Sequence, residues 1–225
     1  MSRLVLARVT LFEGFSEEDL DHLAASLRRR RYAGGQVIFA RGDPGASLYI
    51  VQEGTVKISL ASPDGKEFVL AVLGPGEFFG ELALLDDEPR SADAVAQEAC
   101  QLLLLSRDDF TRFLETRPGV ALRLLAVLSR RLRNADQMLQ DAFFLDVPAR
   151  LARVLLELAE TRGRPEGGGT AIASRLTQAE LAGMVGATRE SVNRWLGFYQ
   201  RRGLIRYDRG LITVLRPEEL RRRVC

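Results

Sequence analysis

Between residues 31 and 107 the chain is cut by glycine-bearing turns into short runs rich in Val, Ile, Leu, Phe and Tyr, and no other feature restricts its fold as much. The runs are QVIFA, SLYIVQ, TVKISLA, EFVLAVL and DAVAQEACQLLLLS. Between them fall Gly34-Gly35, Gly42, Asp43-Pro44-Gly45, Gly54, Pro63-Asp64-Gly65 and Gly74-Pro75-Gly76. Strand-length segments punctuated at roughly 8 to 12 residue intervals predict an all-β barrel or roll. Ahead of it, Ser16 followed by Glu17, Glu18 and Asp19 reads as an N-cap with acidic residues at the positive end of a helix dipole. Apolar Leu20, Leu23, Ala24 and Leu27 extend this into a short amphipathic helix over 16 to 30.

Past residue 118 the period becomes helical. Leu124, Leu128, Leu132, Ala135, Leu139 and Ala142 form a narrow seam that predicts one helix of about 25 residues. Flanked by Arg130, Arg131, Arg133, Asp136 and Gln137, such a seam suits pairing with a second copy of the chain; packing against the chain's own roll would leave the same pattern. Asp146-Val147-Pro148 then reads as an N-cap with proline in the first turn of a new helix, so Leu145 marks a hinge. The chain therefore divides into a β-roll at 1–117, a connecting helix at 118–145 and a second domain at 146–225, an α+β architecture. Within the last part GRPEGGG, 163 to 169, reads as a flexible loop.

Several function classes drop out. No run approaches 18 uninterrupted apolar residues, and MSRLVLARVTLFEG carries Arg3, Arg8 and Glu13 without a small-residue cleavage site, so no membrane contact and a cytoplasmic location are expected. Cys100 and Cys225 supply neither a disulfide framework nor a ligand cluster, and His22 stands alone, so no metal and no Ser-His-Asp chemistry are expected. The glycine spacings lack a following Lys-Ser/Thr and no nucleophile–base pair is visible, so an enzyme is not expected. Charge is uneven: residues 1–145 hold 17 Lys+Arg against 21 Asp+Glu, whereas 146–225 hold 15 against 9, and the basic half is where a polyanion should bind.

In that half, TQAELAGMVGATRESVNRWLGFYQ (177 to 200) carries the most informative local pattern. Thr177 with Glu180 makes a capping box, Leu181, Ala182 and Val185 an apolar face, and Gly186 a tight turn. Thr188 caps a second helix whose Val192, Trp195 and Leu196 point inward, which is a helix-turn-helix. Arg189, Glu190, Asn193 and Arg194 avoid the apolar face of that second helix at the end that enters a major groove. Arg reads O6 and N7 of guanine, and Glu accepts from the N4 amine of cytosine. A solvated face with an incidental Arg and Glu pair is the plainer alternative for one helix alone. Residues 203 to 214 add a hairpin turning near Asp208 to Gly210, with Arg206 and Arg209 near phosphate, as in a winged helix.

In the roll, Gly76 to Ala92 is too particular for a plain turn. A glycine before a short helical turn, here Gly80-Glu81-Leu82, exposes backbone N–H groups to an anion, and Arg90 with Ser91 adds a forked cation and a hydroxyl. Glu81 would accept from a sugar hydroxyl while held by a neighbouring arginine. The same residues also fit a structural Glu81 to Arg90 ion pair across a loop.

The pattern FGELALLDDEPRSA, preceded by GDPGASLYIVQEGTVKIS, resembles the phosphate-binding cassette of cyclic-nucleotide-binding β-rolls. With the long helix, the FLDVPAR hinge and ATRESVNR, the chain resembles the cyclic AMP receptor protein and fumarate–nitrate reductase regulator family over nearly its whole length. The resemblance implies a homodimeric transcription regulator with cyclic AMP as effector, a ligand-independent regulator or one answering another nucleotide being the alternative. It implies phosphate contacts from Arg90, Ser91 and the backbone at Gly80 to Leu82, a ribose contact from Glu81, and base contacts to double-stranded DNA from Arg189, Glu190 and Arg194 at palindromic TGTGA-like half-sites. RNA polymerase is a further expected partner, with Arg28 to Arg31 and 163 to 169 as candidate contact patches, although a run of four arginines is more often a solvated edge. Where the family has a hydroxyl-bearing pair touching the adenine, this chain has Ala135-Asp136 after Asn134; Asn134 or Asp136 could accept from an exocyclic amine if the helix shifts slightly in phase, or Asp136 could prefer a guanine edge instead.

Overall fold

The computed structural model describes residues 6–7, 9–63, 67–172, 176–208 and 210–224. It divides into two compact units, Met1–Leu132 and Arg133–Cys225. Asp64 and Gly65 of one expected turn, Arg209 and Cys225 lie outside the described residues.

In the first unit a 3-10 turn at Thr10–Phe12 precedes α1 (Glu17–Ser26), which opens with a Ser16–Asp19 capping box. Eight strands follow among the described residues: β1 (Arg28–Tyr32), β2 (Val37–Phe39), β3 (Ser47–Glu53), β4 (Val56–Ala61), β5 (Glu67–Leu73), β6 (Phe78–Phe79), β7 (Asp93–Ala96) and β8 (Cys100–Ser106). The four-residue α2 (Leu82–Leu85) lies between β6 and β7, and α3 (Arg107–Thr116) and α4 (Pro118–Phe144) end the series. They form two four-stranded antiparallel sheets, β1-β8-β3-β6 and β2-β7-β4-β5. Between the sheets lie Tyr49, Val51, Val56, Leu73, Phe79, Ala94 and Leu102. The alternate residues of β3 and β8, Leu48, Ile50, Leu103 and Leu105, pack instead with Leu20, Leu23, Phe110, Val120 and Leu124 of the helices. With both faces of this sheet buried, QLLLLS cannot alternate apolar with polar.

Two readings of this unit need correction. The first helix ends at Ser26, where Leu27 turns extended (φ −86°, ψ 132°), and Arg28 to Arg31 pair with Leu104 to Gln101 as an edge strand. Four exposed arginines on a free edge discourage pairing with another chain. The run from Asp93 to Ser106 is two strands, in different sheets.

The residues of the expected seam on α4 divide between two faces of the helix. Leu124 is buried and Leu128 packs beside it in the helix-side core, whereas Leu122, Leu125, Leu132, Leu139 and Phe143 are 59 to 80% exposed. With Ser129 and Asp136 these fall on a 3-4 repeat from 122 to 143, so α4 carries one apolar face toward its own roll and another left open.

In the second unit α5 (Val147–Arg162) starts at Asp146, whose side chain accepts from Ala149 N at 3.0 Å, with Pro148 in its first turn. Residues 163 to 169 are not a loop: β9 (Gly163–Glu166) and β10 (Gly169–Ile172) make a hairpin around Gly167-Gly168, both at positive φ as a two-residue turn demands. Next come α6 (Gln178–Val185), α7 (Arg189–Arg201), β11 (Ile205–Asp208), β12 (Leu211–Val214) and α8 (Pro217–Val224), with the sheet in the order β11-β12-β10-β9.

One core of leucines from α5, α6 and α7 with Ile172, Ile205 and Val214 unites these elements. Tyr199 at its centre is fully buried and donates to the Pro148 carbonyl at 2.7 Å, tying α7 to the start of α5. Burial pushes its phenol up to about 12. Tyr199→Phe is expected to remove about 0.5–1.5 kcal/mol of unfolding free energy, measured by urea titration, with helix content unchanged.

Candidate functional site

The cassette of the roll is built around a buried guanidinium. Arg90 is 4% exposed and lies over the Phe39 ring, 4.3 Å from its centroid, beside a stack of Tyr49 on Phe79. Its Nη1 donates to Gly80 O at 2.6 Å and its Nη2 to Ser47 O at 2.8 Å, while Nε is buried without a partner. Desolvation pulls its pKa down from the ordinary value, against which the nearby charges of Tyr49 and Glu81 act. Gly80 has φ +80°, and a Cβ there would come within 2.6 Å of Arg90 Nη1. A Cβ on Gly45 would meet Ala83 Cβ at 2.3 Å, so both glycines are needed for the fit around Arg90.

Glu81 is 2% exposed and pairs with Arg131 of α4, Nη1 to Oε1 at 2.6 Å, not with Arg90. Arg131 also donates to Phe78 O at 2.5 Å. The other carboxylate oxygen, Oε2, is buried and unpaired. Two side chains of opposite charge thus each keep one orphaned polar atom, a costly arrangement that an unbound partner would relieve. Leu82 and Ser91 are exposed beside this pair. Asn134, Ala135 and Asp136 are exposed on α4 beyond Leu132, within the second unit.

The second candidate surface is the α6–α7 pair. Thr177 caps α6 reciprocally with Glu180, Gly186 ends it at φ 64°, ψ 47°, and Thr188 caps α7 by accepting from Ser191 N at 3.2 Å. Val192, Leu196 and Tyr199 are buried, which leaves Arg189, Glu190, Asn193 and Arg194 exposed together. Hydrogen bonds from its own backbone N–H and the Thr188 hydroxyl hold the Glu190 carboxyl below the usual range. Arg206 is exposed on β11, with Nη1 against the Gly167 turn.

Two family models match, the cyclic nucleotide-binding domain over residues 29–117 and the Crp-like helix-turn-helix domain over 149–223. A CRP-like cAMP-activated global transcriptional regulator of Mycobacterium tuberculosis is 38% identical over 219 residues, covering 97% of this chain and 98% of that one. The chain belongs to the cyclic AMP receptor protein and fumarate–nitrate reductase regulator family. It is a DNA-binding transcription regulator and not an enzyme. The cyclic AMP receptor protein of Thermus thermophilus is 39% identical over 204 residues, 91% of each chain. Among solved structures, the c-di-GMP responsive global regulator CLP of Xanthomonas campestris superposes with TM-score 0.77 at 29% identity, covering 87% of this chain and 97% of that one.

In this regulator two arginines matter that the motifs did not reveal. Arg131 holds Glu81. Arg107, at the start of α3, donates to Gly45 O at 2.8 Å, Ala83 O at 2.7 Å and the Asp87 carboxylate, clasping the cassette from outside. Asp87 is the non-glycine residue at positive φ (60°) among those described, and that ion pair helps hold it there. Arg131 was findable in principle: it follows Leu124 and Leu128 on the roll-facing side of α4, and a buried Glu81 requires a cation. Among the described residues no group of three or more His, Cys, Asp or Glu is placed to hold a metal, and no helix is long and apolar enough to cross a membrane.

Proposed function

We propose that the roll binds a cyclic nucleotide, cyclic AMP in the first instance, and that binding controls affinity for a palindromic operator. The observation that carries this reading is the pair of orphaned atoms, Arg90 Nε and Glu81 Oε2, in one cassette. A cyclic phosphate offers anionic oxygens to the first, and a ribose 2′-hydroxyl offers a donor to the second, so one ligand answers both. Ser91 and the backbone from Gly80 to Leu82 belong to the same proposed contact. The curated relatives above carry cyclic AMP in their names, which favours that nucleotide. The proposed base-reading positions are Asn134, Ala135 and Asp136, and Ala135→Thr with Asp136→Ser should strengthen the response to cyclic AMP.

The open stripe of α4 is the proposed contact with a second copy, and the dimer presents two α7 helices to half-sites about one helical turn apart, TGTGA-like in sequence. Thr177, Thr188, Arg206 and Arg209 complete the proposed DNA contacts, RNA polymerase is the proposed further partner, and the cytoplasm the proposed location. Effector and operator affinities must be reciprocal: each tightens the other by one factor. Titration calorimetry with cyclic AMP and cyclic GMP, with operator binding in the presence and absence of each, tests the reading. No heat and no change in operator affinity would leave a ligand-independent regulator in its place. Separately, Arg189→Ala or Arg194→Ala should flatten preference at one guanine by about 1–3 kcal/mol, whereas Arg206→Ala should weaken all sequences alike.

A further inference from the structure

The first residue of α6 and the first two turns of α7 share one side-chain network. Gln178 donates from Nε2 to Asn193 Oδ1 at 2.9 Å and accepts at Oε1 from Arg189 Nε at 3.4 Å. A single amide thus spends its donor on one exposed residue of α7 and its acceptor on another, across the turn of the helix-turn-helix. Its orientation is fixed from both ends. Gln178 itself is half-buried while both partners are exposed, so the more enclosed side chain anchors the two exposed ones.

The point of attachment on Arg189 matters. Nε is the stem of the guanidinium fork, and holding it leaves Nη1 and Nη2 free as a parallel pair, the two donors that grip guanine O6 and N7 together. Arginine carries large rotamer entropy, and a side chain restrained before contact loses less on binding. The adjacent Glu190 carboxylate also draws on Arg189 electrostatically, although neighbours at i and i+1 of a helix do not face each other. We infer that Gln178 is a positioning residue that, together with Asn193, presents Arg189 for base reading and so sets the sequence selectivity of the regulator. This rests on the reading of α7 as the base-reading helix.

The test uses the full-length protein, an operator selected from random duplexes, and the same duplex with the Arg189-dependent guanine pair exchanged for adenine–thymine. Gln178→Met keeps length and apolar stem but removes both hydrogen bonds, and the Thr177–Glu180 cap of α6 does not involve it. The ratio of affinities for the two duplexes is expected to fall by about tenfold, and to fall no further when Gln178→Met is added to Arg189→Ala. Gln178→Glu retains the acceptor for Arg189 and is expected to keep the ratio while overall affinity drops through its added negative charge. Equal weakening of both duplexes by Gln178→Met would mean that Gln178 only contacts phosphate and would overturn the inference. Loss of the ratio in Gln178→Glu would overturn it as well. If Arg189→Ala itself leaves the ratio unchanged, the assignment of Arg189 as base reader fails and this inference with it, an outcome distinct from the other two.

Discussion

Arg90→Ala is expected to abolish the nucleotide response of operator binding while leaving ligand-free operator affinity at its wild-type level. Truncating one side of a buried charge pair typically costs about 2–5 kcal/mol, a loss of roughly thirtyfold or more in nucleotide affinity. Here the loss falls at the upper part of that range, because Arg90 is the cation enclosed by the cassette, with its stem nitrogen unsatisfied and its ring platform of Phe39 already in place. Calorimetry reads the first half of the expectation and fluorescence anisotropy with labelled operator the second. Since Arg90 also bridges Gly80 O and Ser47 O, thermal melting accompanies both. Glu81→Gln should respond differently: the Arg90 contact to phosphate survives, but the ion pair of residue 81 with Arg131 does not. A variant lacking Arg90 that still gains operator affinity with cyclic AMP would remove the cassette from the mechanism.

The second large effect is expected at the open stripe of α4. Leu132→Lys with Leu139→Lys places four like charges into one two-fold seam, and sedimentation should then show monomer at concentrations where the wild type is a dimer. Operator affinity should fall with it, because two half-sites are no longer held by one particle. At the proposed seam, Asp136 and Ser129 are polar residues that would weaken pairing and fix its register. Asp136→Leu should therefore tighten the dimer. Lysines at 132 and 139 that leave the sedimentation coefficient unchanged would place the contact elsewhere.

Both sites were legible because their signals are local. FGELALLDDEPRSA compresses a turn, a helical step and its arginine into a dozen residues, and the two capped helices with Gly186 between them are a complete instruction over about 24 residues. What was not legible acts at a distance. The carboxylate of Glu81 could be assigned an arginine partner but not which one, and Arg90 was the nearer candidate in sequence while Arg131, fifty positions on, is the partner found. The residues of the α4 seam divide for a related reason: the helix carries two apolar faces, and periodicity alone ranks neither, so residues that serve the roll fall into one pattern with residues that do not. The GRPEGGG segment reads as a loop because glycine runs usually signal flexibility, whereas two of these glycines supply the positive φ angles that close a hairpin.

On the proposed reading, the burial of Arg90 separates nucleotide and operator by their sensitivity to ionic strength. Operator binding through the exposed arginines proposed to face DNA releases condensed counterions on contact, so it should weaken steeply as salt rises. The cassette guanidinium sits behind Gly45 and Gly80, over Phe39, where mobile ions screen little. Nucleotide affinity should therefore hold nearly level across a salt range that strips the protein from DNA. Salt would then release the operator from a regulator still loaded with its effector.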